Sequence, residues 1–277
     1  QDRIGGIDYF RLLEDLEKNF EEKKEDLKEK LQQLIYMIFC SENMMVSVTT
    51  DAEGYEGFES QVALMVPLLY KNPVQTGAIR YGFEKKNEGF STAGQVQYAA
   101  VSGNFRKAGF SYTGALRILK VILSYDYLWI NIRVKGGAYG CMSNFRRTGD
   151  SFLVSYRDPH LKQTLEVFEN TPEYLRNFQA DEREMTKYII GTISELDVPM
   201  NPCAQGELAL TAWLSGINEE DFQRERDEIL EADQEAIRKL ADLIQAVLEQ
   251  ENICVVGSES ALEKNREILK TVEPLNR

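Results

Sequence analysis

Gly136-Gly137 constrains the fold of this chain more than any other pair of residues, because it separates two stretches of opposite periodicity. Upstream, residues 112–129 place Leu116, Leu119 and Leu123 on one face and are predicted to form a helix. Downstream, 139–146 and 151–156 alternate in period two around Arg147-Thr148-Gly149-Asp150, the pattern of a strand hairpin. Between them the octapeptide Arg133-Val134-Lys135-Gly136-Gly137-Ala138-Tyr139-Gly140 sets a permanent cation, Arg133, six residues from a phenol, Tyr139. Glycine admits backbone angles closed to other residues and lets a second chain approach closely. Two readings follow. Either the polar pair faces a bound polymer, or the turn is an ordinary helix-to-strand connection with a surface Arg and a half-buried Tyr.

A length of 277 residues suits one large domain, or one domain with part of another. The net charge of −13, with no basic face to offset it, argues against a nucleic-acid partner. It leaves a basic peptide open. No run approaches the roughly 18 apolar residues of a membrane helix, so no membrane partner is expected. Cys40, Cys141, Cys203 and Cys254 lie far apart without a C-x-x-C pair, which fits buried reduced thiols and a cytoplasmic setting. The chain opens on Gln1, carries no signal peptide and runs into a charged helix, and is expected to be a piece of something longer.

Residues 8–39 recur as apolar at three- and four-residue steps with charge between, the pattern of a solvated helix. Residues 43–49 are predicted to be a strand and 58–70 a helix that stops before Pro73. The same order, helix, strand, helix, returns at 234–248, 252–257 and 261–272, with Glu42-Asn43 mirrored by Glu251-Asn252. The repeat suggests two related domain endings, so 1–72 is expected to close one domain and 73–277 to form the next. Within the second, 77–83 and 94–102 are strand-like, and helices are predicted at 159–168, 171–178, 181–194, 204–215 and 219–230. Strands first and helices afterwards favour an α+β layer over βαβ winding.

The residue inventory restricts the chemistry. His160 is the only histidine, so the imidazole pair of most catalytic zinc sites is missing, as are H-x-x-E-H and H-E-x-x-H. Its place after Asp158-Pro159 fits a surface or structural role. No G-x-S-x-G elbow or Walker-type loop occurs, and acidic pairs such as Glu219-Glu220 lie on charged helical faces. This composition does not make a self-sufficient enzyme.

Three segments carry a resemblance. The stretch Arg133–Gly140 is similar to the R-V-x-G-G-A-Y-G segment of insulinase/pitrilysin-type zinc metallopeptidases of the presequence-protease branch. Ser155-Tyr156-Arg157-Asp158-Pro159 resembles that branch's S-Y-R-D-P, and Ile189-Ile190-Gly191-Thr192-Ile193 its I-I-G-T-I helix. The resemblance implies a LuxS/metallohydrolase-like two-layer α/β roll, with a mainly antiparallel sheet packed on helices. It implies an intracellular endopeptidase for unstructured peptides, a clamshell whose N-terminal half holds Zn2+ and whose last domain supplies Arg133 and Tyr139. Gly136, Gly137 and Ala138 would then border the peptide backbone. The resemblance gives this chain no zinc ligand, so the fragment alone is expected to bind no zinc and cleave nothing. The alternatives are a non-catalytic member acting as a scaffold or peptide-binding module, or an unrelated acidic interaction module using its N-terminal helix.

Overall fold

Closely spaced charges of opposite sign sustain the first helices. The structure, a computed structural model, describes residues 5–71 and 87–275. They fall into two compact units, one of 5–71 with 200–216 and one of 87–199 with 217–275. The expected strand at 77–83 and the expected boundary after residue 72 lie outside the described residues.

In the first unit α1 (Ile7–Lys18) and α2 (Phe20–Ile38) break at Asn19, whose side-chain amide donates to Asp15 at 2.8 Å. Along α2 Lys30 pairs with Asp26 at 2.8 Å, one turn apart, on an exposed face. α3 (Ala52–Met65) begins at Asp51, whose carboxylate accepts from the Gly54 N–H at 2.8 Å. The strand expected at 43–49 does not form: a 3-10 turn, Ser41–Asn43, leads into irregular chain with Met45, Val46 and Val48 exposed. A strand needs a partner, and the ladder contact described for this unit is the single bridge between Cys40 and Tyr70. The helix–strand–helix repeat is therefore incomplete in its first copy.

The second unit opens with β1 (Glu88–Thr92), which the sequence pattern did not reveal, and β2 (Gln97–Asn104). α4 (Ala115–Ile122) follows, then the hairpin strands β3 (Gly140–Phe145) and β4 (Asp150–Asp158). Next come α5 (Leu161–Glu169), α6 (Thr171–Arg176) and α7 (Glu182–Leu196), the last started by a capping box between Asp181 and Glu184. α8 (Pro202–Ser215) belongs to the first unit. The chain closes with α9 (Glu219–Leu230), α10 (Gln234–Arg238), α11 (Leu240–Leu248), β5 (Asn252–Ser258), α12 (Glu259–Lys264) and β6 (Thr271–Pro274).

The six strands form one mixed sheet in the order β3-β4-β2-β5-β1-β6. The pairs from β3 to β5 are antiparallel; β1 lies parallel to both β5 and β6. Ala99, Val101, Cys141, Phe145, Leu153 and Val255 are buried, while Tyr98 and Met142, at alternate positions, stay exposed. Onto the buried face α4 lays Leu116, Leu119 and Ile122, each essentially inaccessible. Burying a side chain of this size contributes about 1.5–3 kcal/mol. The architecture is the expected α+β arrangement, a mostly antiparallel sheet on helices.

Two element ends differ from the pattern-based expectation. The helix expected at 261–272 stops at Lys264, and Thr271–Pro274 adds to β1 as an edge strand, where Pro274 costs no ladder bond. Of the cysteines expected to be buried thiols, Cys40 and Cys141 are; Cys203 is exposed in the first turn of α8, Cys254 is intermediate, and none of the four is in a disulfide.

Candidate functional site

Arg133 sits on a helix and not in the turn. The helix expected to end at Trp129 continues beyond α4 through two π-helical stretches, Leu123–Tyr127 and Trp129–Lys135. Leu128 and Ile132, buried against the core, hold this extension in place despite its β-branched residues. The wide π turns are uncommon and concentrate at functional sites. Here they bring the Arg133 guanidinium carbon to 4.5 Å from the Trp129 ring centroid, four residues earlier.

Gly137 ends the helix in the left-handed region, φ 77°, with its N–H donating to the Arg133 carbonyl at 3.0 Å. A Cβ on Gly136 would lie 2.6 Å from the Ile132 carbonyl oxygen, so this position excludes a side chain by contact. At Gly137 the nearest atom to such a Cβ is Pro159 Cγ at 3.8 Å, so backbone strain and not space is the constraint. Gly137→Ala is therefore expected to lower stability by about 1 kcal/mol, read as a lower urea midpoint with an unchanged slope.

From this turn the chain enters edge strand β3, and Tyr139 is left 56% exposed. Its ring is tilted against that of Tyr156, 5.4 Å between centroids, and Gly140 makes room for Tyr156. The Arg133 guanidinium carbon lies 5.4 Å from the Tyr139 ring centroid. A second guanidinium, that of Arg157, lies 5.5 Å from the same ring. Neither guanidinium has an ion-pair or hydrogen-bond partner among the described residues, and the Tyr139 hydroxyl has none either. Arg133, Gly137, Ala138, Tyr139 and Arg157 together line an open concavity of about 410 Å³. Gly136 lies behind it in the helix end, and the Ala138 side chain is buried.

The candidate pair Arg133 and Tyr139 is thus brought together, with Gly137 and Ala138 as floor. Arg157 was not singled out from sequence. Its only signal there was membership of the second resembling segment; what aims it is a positive φ of 49°. The two segments meet directly, since the Tyr139 N–H donates to the Arg157 carbonyl at 3.2 Å. The third segment works from behind: α7 packs on α4, and its Tyr188 hydroxyl bonds Asp126 in the first π stretch.

Neighbouring groups are chemically quiet. Burial pushes the Cys141 thiol up to about 11, although the Arg133 charge opposes this, so the thiol stays protonated. Asp158 is fully buried and accepts from the His160 N–H at 2.8 Å and from the Thr164 hydroxyl, which starts α5. His160 itself is exposed. No group of three or more His, Cys, Asp or Glu that could hold a metal occurs among the described residues, and no helix there is long and apolar enough to cross a membrane.

The family model described as "PreP C-terminal domain" matches residues 87–259. "Protein HypA" of Clostridium perfringens is 42% identical over 272 residues, covering 98% of this chain and 28% of that protein. "Presequence protease 1, chloroplastic/mitochondrial" of Arabidopsis thaliana is 31% identical over 260 residues, covering 93% of this chain and 24% of that protein. The chain therefore spans about a quarter of the length of these relatives. Among solved structures, a peptidase M16 inactive domain from Pseudomonas fluorescens superposes with a TM-score of 0.52 at 17% identity, covering 74% of this chain and 51% of that one. A structure described as a predicted insulinase family protease from Yersinia pestis gives 0.50 at 10% identity, covering 77% and 52%. At such identities the likeness speaks for the fold alone. With the family match covering more than half of its residues, the chain belongs to the PreP C-terminal domain family.

Proposed function

We propose that this chain is the substrate-contacting C-terminal portion of a zinc metalloendopeptidase that degrades unstructured peptides. Its N-terminal half would face the concavity across a clamshell chamber and complete the site. The observation that carries this reading is that Arg133 and Tyr139, whose guanidinium and hydroxyl have no hydrogen-bond or ion-pair partner among the described residues, line one open concavity. Unpartnered donors beside an exposed ring are arranged for a ligand's oxygen atoms. The described residues do not fit a metal site, so we place Zn2+ in the N-terminal half and assign it no step here.

Peptide hydrolysis moves negative charge onto the carbonyl oxygen. A fixed donor aimed at that oxygen stabilises the transition state more than the ground state. Tyr139 suits that task, while the planar fork of Arg133 suits an adjacent peptide carbonyl, held in place by the Trp129 face. In the longer protein, Arg133→Ala is expected to lower kcat/KM about 10²-fold, with zinc content unchanged. Arg133→Lys should recover little of this, because an ammonium is a point charge without the fork. Wild-type kcat/KM in both variants would refute the reading. A second reading, a non-catalytic peptide-binding module, keeps the concavity and drops the turnover; one structural neighbour is described as an inactive domain.

A further inference from the structure

We infer that Arg157 makes this concavity a carboxylate site, so that the peptide it prefers carries an acidic side chain or a free C-terminus there. The inference rests on the peptide-binding reading above and goes beyond it in naming the charge selected. A neutral carbonyl needs one donor group, and Arg133 with Tyr139 already supply that. The structure adds a second permanent cation on the same ring, in a chain whose net charge is −13 and whose acidic groups outnumber its basic ones.

Three observations set Arg157 apart from an ion-paired surface arginine. It has no carboxylate partner among the described residues. The adjacent carboxylate, Asp158, is buried and committed to the His160 N–H and the Thr164 hydroxyl. The Arg157 backbone is held at φ 49°, a region that residues other than Gly, Asn and Asp seldom adopt, where an extra residue in β4 shifts its register against β2. Such strain persists only where the surrounding structure enforces it, and it concentrates at binding sites. Here the enforcement is visible: the Arg157 carbonyl is tied to the Tyr139 N–H, and Asp158 is locked inward. The consequence is a guanidinium aimed at Tyr139, opposite no anion, with free edges matched to a bidentate carboxylate.

The test uses the 277-residue chain and three dye-labelled, alanine-rich peptides of about ten residues, read by fluorescence anisotropy. One is amidated and carries a single Glu, one is amidated with Gln in its place, and one carries Gln with a free C-terminal carboxylate. At least one carboxylate peptide is expected to bind about tenfold tighter than the amidated Gln peptide, the effect of one charge-assisted contact. Which of the two does so identifies the source of the carboxylate. Arg157→Gly removes the guanidinium while suiting the positive φ, so the fold is kept, and the preference should vanish. Equal affinities for all three peptides, no measurable binding, or a preference that survives Arg157→Gly would each overturn the inference. Failure here leaves the turnover tests on Arg133 and Tyr139 untouched, and failure there leaves this binding measurement untouched.

Discussion

If the proposed role holds, Tyr139→Phe in the longer protein is expected to lower kcat by about 10²–10³-fold, the usual loss when one oxyanion donor is removed, with KM changed far less. The substitution deletes a single hydroxyl and nothing else that the fold uses. That hydroxyl has no partner among the described residues, so its loss leaves no buried group unsatisfied. The ring keeps its contact with Tyr156 and remains beneath the guanidinium groups of Arg133 and Arg157. The urea midpoint should therefore stay at the wild-type value, which separates a chemical defect from a folding one. A loss confined to KM would mean that Tyr139 binds substrate and transition state alike. Undiminished kcat/KM would remove Tyr139 from catalysis altogether.

The fold and the site were legible to different depths. The β3–β4 hairpin announces itself through Arg147-Thr148-Gly149-Asp150, and Gly149 adopts φ 90° as such a turn demands. The start of α7 is equally plain in Asp181 and Glu184. By contrast, the sequence pattern ends the helix at Trp129, yet burial of Leu128 and Ile132 carries it on to Lys135 through the β-branched Ile130, Ile132 and Val134. Tertiary packing overrides propensity there. Residues 43–49 have strand composition, but composition cannot supply a neighbouring strand. At the site, Arg133 and Tyr139 stand out through the resembling octapeptide alone. Arg157 does not, because its role depends on the sign of one backbone angle and on a ring eighteen residues earlier.

Glu225→Gln is expected to be the most destabilising of the substitutions considered, by about 2–3 kcal/mol. Glu225 is 4% exposed on α9 and receives Tyr112, Arg117 and Arg147, while the Arg147 guanidinium lies 5.0 Å from the Tyr112 ring centroid. It thereby ties the start of α4 to the turn of the β3–β4 hairpin. Both arginines reach solvent at 39% and 26% exposure, so their unpaired charges are partly hydrated, which places the cost below that of a fully buried broken pair. The pH dependence has a definite sign. Burial alone would push the Glu225 carboxyl up; hydrogen bonds from Arg117 and Tyr112, with the charges of both arginines, hold it below the usual range. A carboxyl depressed by folding contributes its stability above the unfolded value of 4.5 and loses it as pH falls through the lower folded value. Unfolding free energies of wild type and Glu225→Gln should therefore differ most near neutral pH and converge in acid; a constant gap would refute the assignment. The six residues of β3 separate this clamp from Tyr139 by roughly 20 Å. The helix–hairpin unit is thus pinned by ionic contacts at one end and left with unpartnered cations at the other. The variant should lose stability while keeping the carboxylate preference that Arg157 confers.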